Sequence, residues 1–108
     1  MNIRDTKLII SKITEYLNNN KISNNHCISI ISSKDVIENI IAFIDIIYKS
    51  PECIENTMLP FPITIGAIAG KEINFVASDR IEDNSVYIHI WSKCKEDEYD
   101  AKVKIDWR

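Results

Sequence analysis

The stretch ITIGAIAGKEINFVAS, residues 63–78, decides the fold that we expect of this chain. Apolar residues alternate with small or polar ones over two runs, Ile63–Ala69 and Glu72–Ser78, and this period of two predicts a pair of strands. Gly70-Lys71 lies between the runs. Glycine at the first central position is typical of a two-residue type II′ turn, so we expect an antiparallel hairpin.

The hairpin register predicts which residues face one another. It sets Gly66 opposite Phe75 and Ile68 opposite Ile73, so the glycine leaves room for the phenylalanine ring. Apolar side chains then fall on both faces of the hairpin. Strands of that kind are buried on two sides, so we expect the hairpin to be central in its sheet and covered on both faces.

Two further strands are predicted after the hairpin, Val86–Ser92 and Ala101–Arg108. The last one alternates between apolar residues and the charged residues Lys102, Lys104 and Asp106, which is typical of a half-solvated edge strand protected by charge. With the hairpin, these strands predict a four-stranded antiparallel meander.

Upstream of the hairpin, helical spacing predicts a first helix from about Thr6 to Asn18, and β-branched residues predict a short strand at Cys27–Ile31. A second, nearly all-apolar helix, capped by Ser32 or Ser33, should run to about Lys49 and stop before Pro51. The expected fold is therefore α+β, with two N-terminal helices and a short strand packed on a C-terminal four-stranded antiparallel β-meander. The helices should cover the face that carries Val86, Ile88, Ile90, Val103 and Ile105.

Composition narrows the class of protein. The 108 residues suit one α+β domain spanning residues 1–108, with 45% hydrophobic and 27% charged residues. The net charge of −3 opposes nucleic-acid binding, which needs clustered basic residues. The most apolar segment is interrupted by charges, so we expect no membrane span. The start shows no signal-peptide pattern and the cysteines are odd in number, so we expect a cytoplasmic protein with reduced thiols.

Aromatic residues mark one candidate surface. Tyr87, His89 and Trp91 alternate along one strand and should share a sheet face with Lys102 and Lys104. Tyr and Trp beside charged residues are typical of interface hot spots, so we predict that these three residues anchor a protein partner. The alternative is that the first helix covers this face and buries the three residues in the core.

Acidic residues predict where the rim of that surface lies. In a meander, successive connections alternate between the two ends of the sheet, so the loop after residue 78 and the loop before residue 63 should meet at one end. The acidic rim is therefore predicted to comprise Glu52, Glu55, Asp79, Glu82 and Asp83. Such a cluster speeds association with a basic partner. A second acidic stretch, residues 96–100, should lie at the other end as a solvated turn.

Motifs for catalysis or cofactor binding are missing from the sequence. Cys27, Cys53, Cys94, His26 and His89 show none of the paired spacings of metal sites, so we expect no metal and no cofactor. No nucleophile lies in a recognisable catalytic setting, so we expect no enzymatic activity.

In general build the chain resembles bacterial toxin-immunity proteins, including those of contact-dependent growth inhibition systems. These are small, cytosolic, mildly acidic single domains without catalytic motifs. The resemblance implies direct binding and neutralisation of a cognate toxin, often a nuclease with a basic cleft. Two alternatives stay open: an oligomeric accessory or structural subunit, in which the apolar second helix is buried in a homodimer, and an enzyme that uses scattered Cys, His and carboxylate groups.

Overall fold

The computed structural model describes residues 2–23, 25–49, 63–82, 84–92 and 100–108, which form two helices and six strands. In chain order these elements are α1 (Ile3–Asn19), β1 (His26–Ser32), α2 (Lys34–Ile41), β2 (Asp45–Lys49), β3 (Ile63–Ile68), β4 (Lys71–Ala77), β5 (Val86–Ser92) and β6 (Asp100–Lys104).

The six strands form one mixed sheet in the order β2-β3-β4-β1-β5-β6. β1 is parallel to β4, and all other neighbouring strands are antiparallel. This architecture confirms the predicted α+β class. The short N-terminal strand is also confirmed, one residue longer at each end than the sequence predicted.

The predicted C-terminal meander is wrong, because β1 lies between β4 and β5 and separates them. Eight residues, 78–85, connect Ala77 to Val86. They must cross two strand spacings, about 10 Å, which a tight turn would not reach. At this crossing the Ser78 amide donates to the Ser32 carbonyl at 2.8 Å. β1 suits the central place because it has isoleucines on both faces, Ile28 and Ile30 on one and Ile31 on the other.

The second helix is shorter than predicted. It ends at Ile41, and Asp45–Lys49, which we expected to be its last turns, form strand β2. The segment is rich in isoleucine, whose branched side chain favours a pleated strand over a helix. Pairing with β3 therefore outweighed the helical pattern here.

The hairpin β3–β4 is confirmed, but its turn and register differ from the prediction. Ala69 and Gly70 occupy the turn with φ of 55° and 73°, and two positive values are typical of type I′, not type II′. Gly66 consequently pairs with Ile73 and not with Phe75. The shift is two residues, so every side chain keeps the face that the sequence predicted.

The hydrophobic core lies between the sheet and the two helices. α1 contributes Ile9, Ile13 and Leu17, and α2 contributes Val36 and Ile40. Against them pack the residues Ile28, Ile30, Ile73, Phe75, Val86, Ile88, Ile90 and Ile105, all buried. The helices thus cover the predicted face, although Val103 near its edge stays 37% exposed.

In the described residues, the helices cover only one face of the hairpin, whereas the sequence predicted that both faces are covered. In the ranges that the structure describes, both helices pack on the same side of the sheet. β3 is also not central, since only β2 separates it from the sheet edge. The second apolar face of the hairpin, with Ile65 and Val76, therefore lies on the side away from the helices, where both residues are half-buried.

Three hydrogen bonds close the end of the sheet where β5 begins. The buried Ser32 hydroxyl donates to the Ser85 carbonyl, which joins the end of β1 to the start of β5. The Trp107 indole Nε1 donates to the Asn84 carbonyl at 3.0 Å, and the Ile105 amide donates to the Val86 carbonyl at 2.8 Å. The predicted edge strand is confirmed as β6, although its regular part ends at Lys104.

We expect Gly66→Ala to destabilise the fold. A Cβ at this position would lie 2.7 Å from Ile44 Cδ1, 2.9 Å from the Asp45 carbonyl oxygen and 3.1 Å from the Phe75 ring. The backbone oxygen cannot move without shifting β2, so the loss should be about 1–3 kcal/mol by chemical denaturation. Gly70→Ala is a poor control because its φ is positive, whereas Ala67→Ser on the same strand should change stability by much less. An unchanged midpoint for Gly66→Ala would contradict this packing.

Candidate functional site

The sheet face turned away from the helices, here called the open face, carries the candidate site. Residues of β1, β4 and β5 alternate between the two faces, so the buried isoleucines of the core fix which residues point away from it. The open face comprises Asp45, Ile65, Ala67, Glu72, Asn74, Val76, Cys27, Ser29, Ile31, Tyr87, His89, Trp91, Asp100, Lys102 and Lys104.

Tyr87, His89 and Trp91 lie side by side on the open face, as the sequence predicted. All three are half-buried. The rings of His89 and Trp91 are 5.0 Å apart between centroids, tilted by 34°. The Lys102 ammonium lies 5.4 Å from the centre of the Tyr87 ring, a cation–π distance. Tyr87, His89 and Trp91 thus form a row of rings along β5, here called the aromatic row, flanked by β1 and β6.

The position of helix α1 bears on the alternative in which it buries these aromatic residues. α1 packs through Ile9, Ile13 and Leu17 on the opposite face of the sheet. In the described ranges, therefore, the aromatic row is not packed under a helix. Its neighbours across the sheet are Ile31, which pairs with Tyr87, and Cys27, which pairs with Trp91.

The predicted acidic rim is only partly described. Asp79 and Glu82 are exposed, in the connection between β4 and β5. A carboxylate oxygen of Glu82 lies 3.7 Å from the Lys104 ammonium, so its charge is partly balanced. Glu52, Glu55 and Asp83 lie outside the described residues, and their predicted convergence with Asp79 stays a prediction.

A second set of acidic residues was missed by the sequence analysis. Asp45 pairs with Ala67 and Ala67 with Glu72, while Trp91 pairs with both Cys27 and Asp100. The parallel register of β1 and β4, continued by two residues from the Ser29–Asn74 pair, sets Cys27 beside Glu72, so the three carboxylates belong to one row across the open face. All three are exposed. The row is at the end of the sheet opposite Asp79 and Glu82. Strand alternation alone would have placed Glu72 on this face, but Asp45 was assigned to a helix.

The open face also juxtaposes residue types found in hydrolases. His89 Nε2 lies 2.6 Å from Asp100 Oδ1, and Ser29 pairs directly with His89 on the neighbouring strand. In a serine hydrolase the imidazole must also bond the nucleophilic hydroxyl. In the described residues, no hydrogen bond joins the Ser29 hydroxyl to the His89 ring. The carboxylate instead fixes the orientation of the ring next to Trp91.

Thiol and metal chemistry have little structural basis in the described ranges. Cys27 is half-buried on the open face, and its neighbour His26 points to the other face, as adjacent strand residues do. Cys53 and Cys94 lie outside the described residues. The part of the chain that the structure describes has no group of three or more His, Cys, Asp and Glu residues arranged to hold a metal ion.

A cavity of about 420 Å³ lies beside the open face, between the connection that precedes β5 and the C-terminal segment. Glu82, Lys104, Asp106 and Arg108 line it, together with Trp107. The Arg108 guanidinium lies 5.0 Å from the Trp107 ring. The lining mixes both charges and gives no preference for one class of small ligand.

Comparison of the chain with protein-family models, with curated proteins and with solved structures finds no match. Neither helix in the described ranges is long and apolar enough to cross a membrane.

The two faces of β5 should respond differently to truncation. Ile88 is fully buried, so Ile88→Ala should cost about 2–5 kcal/mol of unfolding free energy. Trp91 is half-buried on the open face, so Trp91→Ala should cost about 1 kcal/mol or less despite removing a larger side chain. Urea denaturation of both variants checks this. Equal losses would show that the open face is as tightly packed as the helix side.

Proposed function

We propose that this chain is a protein-binding module that docks a single basic protein on its open face, in the manner of a toxin-immunity protein. It would act by stoichiometric binding and occlusion of a toxin domain, without chemistry of its own. Two observations support the proposal: the chain is a small acidic α+β domain, and its open face carries the aromatic residues described above.

The aromatic row carries this proposal. Half-buried Tyr, His and Trp side chains held on a rigid sheet offer a large contact area at low entropic cost, because their neighbours already limit their rotamers. Ile31, Ile65 and Val76 extend the row into a partly apolar surface across the middle of the sheet. Binding energy at protein interfaces is concentrated in such central aromatic residues.

Charge supports a basic partner. The chain carries a net charge of −3, and carboxylates occur at both ends of the open face. Asp79 and Glu82 lie at one end, and the row formed by Asp45, Glu72 and Asp100 lies at the other. Exposed charges around an apolar centre mainly raise the association rate and select the orientation of the partner.

Lys102 and Lys104 interrupt this pattern along β6. Their charges are engaged within the chain, Lys104 with Glu82 at 3.7 Å and Lys102 over the Tyr87 ring. Acidic groups of a partner that lie opposite β6 would be attracted to these two lysines. The proposed partner is therefore basic over most of its contact surface and acidic opposite β6.

The first experiment isolates the cognate partner and tests the aromatic row. The immobilised chain should retain one toxin-domain protein from the native host, and the purified pair should form a one-to-one complex. Trp91→Ala should then raise the dissociation rate by roughly tenfold or more, since a central aromatic anchor contributes about 2 kcal/mol or more. Surface plasmon resonance measures the rate, and co-expression should relieve the growth arrest that the partner causes alone.

A matched control uses the helix side of the molecule. Ile3 and Leu8 on α1 are 62% and 39% exposed, so Ile3→Ala with Leu8→Ala removes exposed apolar surface remote from the open face. Its dissociation rate should equal that of the wild type. The proposal fails if the helix-side variant releases the partner while Trp91→Ala retains it.

A second experiment addresses the acidic end of the surface. Asp79→Lys combined with Glu82→Lys should slow association severalfold in low salt, and the difference should shrink in high salt as charges are screened. The control reverses Glu15 and Glu38 on the helices, which are 62% and 58% exposed, and imposes the same change in net charge. Equal slowing by both variants would assign the effect to net charge alone.

A further inference from the structure

The pairing of β1 with β4 stops before either strand ends. Both strands have seven residues, but their described pairs run only from Ser29–Asn74 to Ser32–Ala77. Residues 26–28 of β1 pair with β5, and residues 71–73 of β4 pair with β3, each on the outer side. The centre of the sheet therefore divides at one end, between two strands that each keep another neighbour.

Main-chain groups face into this division. The Ser78 amide donates to the Ser32 carbonyl across the junction of β1 and β4, at 2.8 Å. Because alternate residues of a strand point their main-chain groups at the same neighbour, Ile28 on β1 and Glu72 on β4 also face the junction. In a continuous ladder the Ile28 amide would donate to the Glu72 carbonyl, but the described pairing begins one residue later. The division thus presents one donor and one acceptor on opposite sides.

A cavity of about 280 Å³ occupies the division. One water molecule needs only roughly 10–15 Å³, so the space suits a larger guest than a bridging water. Ile22 closes the helix side, where it packs against the core, and in the described ranges no helix covers the other side. The cavity is therefore entered from the open face. Its lining includes Ile22, Cys27, Ile28, Lys71, Glu72 and Asn74.

The side chains at this entrance favour a cation. Glu72 is exposed on the open face, where Cys27 and the half-buried Asn74 are its neighbours in the cavity lining. Lys71 alternates with the buried Ile73, so its side chain points to the helix side. A guest that carries a carboxylate would be repelled by the Glu72 carboxylate, whereas an ammonium group would be attracted to it.

We propose that this cavity binds the free amino terminus of an extended peptide chain. A trans peptide group points its carbonyl and its N–H in opposite directions, so one such group can accept from the Ile28 amide and donate to the Glu72 carbonyl. The terminal ammonium, one residue away, then pairs with the Glu72 carboxylate. Capture of a chain terminus by main-chain groups is a recurrent mode of peptide recognition. The cavity adjoins Trp91, which pairs with Cys27, but the inference does not depend on the proposed function.

Titration with small peptides tests the site without any protein partner. Alanyl-alaninamide, which has a free amine and no carboxylate, should shift the backbone amide resonances of Ile28 and Glu72 in NMR spectra. Its N-acetylated form keeps the peptide groups but lacks the ammonium, so its dissociation constant should be roughly tenfold higher. N-acetyl-dialanine, which has a free carboxylate instead, should bind no better than the acetylated amide.

Removal of one charge at either of two positions in the same row of carboxylates supplies the matched control. Glu72→Gln should raise the dissociation constant of alanyl-alaninamide roughly fivefold or more, because the ammonium loses its charged partner. Asp45 is not among the residues that line the cavity, so Asp45→Asn should leave that constant unchanged. Both side chains are exposed, and circular dichroism should show that both variants fold.

Four outcomes would overturn the proposal. They are resonances of Ile28 and Glu72 that alanyl-alaninamide does not move, equal binding of the acetylated amide, tighter binding of N-acetyl-dialanine, and equal weakening by Glu72→Gln and Asp45→Asn. The first would leave the cavity to solvent. The second and third would show that the amine is not what the cavity recognises, and the fourth would assign the effect to net charge.

Discussion

The pairing of β1 with two distant strands is the interaction on which the rest of the structure depends. β1 pairs along its whole length with β5 and is parallel to β4 through Ser29–Ser32. Without β1, the hairpin β3–β4 and the pair β5–β6 would be two small separate sheets with unpaired edges. Neither sheet would be wide enough to pack against both helices. Ile28 and Ile30 are 3% and 0% exposed because β1 lies at the centre of the shared core. A strand from the N-terminal third of the chain thus unites the C-terminal strands.

The register of β1 also determines the composition of the open face. Ser29 pairs with His89 and Ile31 with Tyr87, so these residues share one face while Ile28 and Ile30 point to the helices. A slip of one residue would move both isoleucines out of the core and turn Ile31 inward. Burial on the helix side therefore enforces the arrangement on the other side. The candidate site is held in place by the same apolar contacts that stabilise the fold, although no helix in the described ranges covers it.

Local sequence patterns predicted most of the strands correctly, but they did not predict which distant strands pair with one another. Alternation within residues 63–77 and 86–92 depends only on near neighbours, so strand positions and faces agree with the structure even where the hairpin register differs by two residues. The position of β1 depends on pairing with strands more than forty residues away along the chain. Hydrophobic periodicity reports only on near neighbours, so it cannot predict such pairing from one sequence. The helix predicted for Asp45–Lys49 was wrong for another reason. A short apolar run fits a buried helix and a strand equally well, and here pairing at the edge of the sheet made it a strand.

The same distinction separates the parts of the candidate site. Tyr87, His89 and Trp91 share a face because they alternate along one strand, a relation that survives any strand order. The acidic residues are grouped by strand order instead, and once β1 and β2 join the sheet, Asp45 and Asp100 fall on one row although 54 positions separate them in the chain. A loop cluster can change its geometry with the loop, whereas this row is fixed by backbone pairing and lies next to Trp91. The open face therefore combines a rigid row of aromatic side chains with carboxylates held in register, and a protein docked there as we propose would gain most if it were itself preorganised.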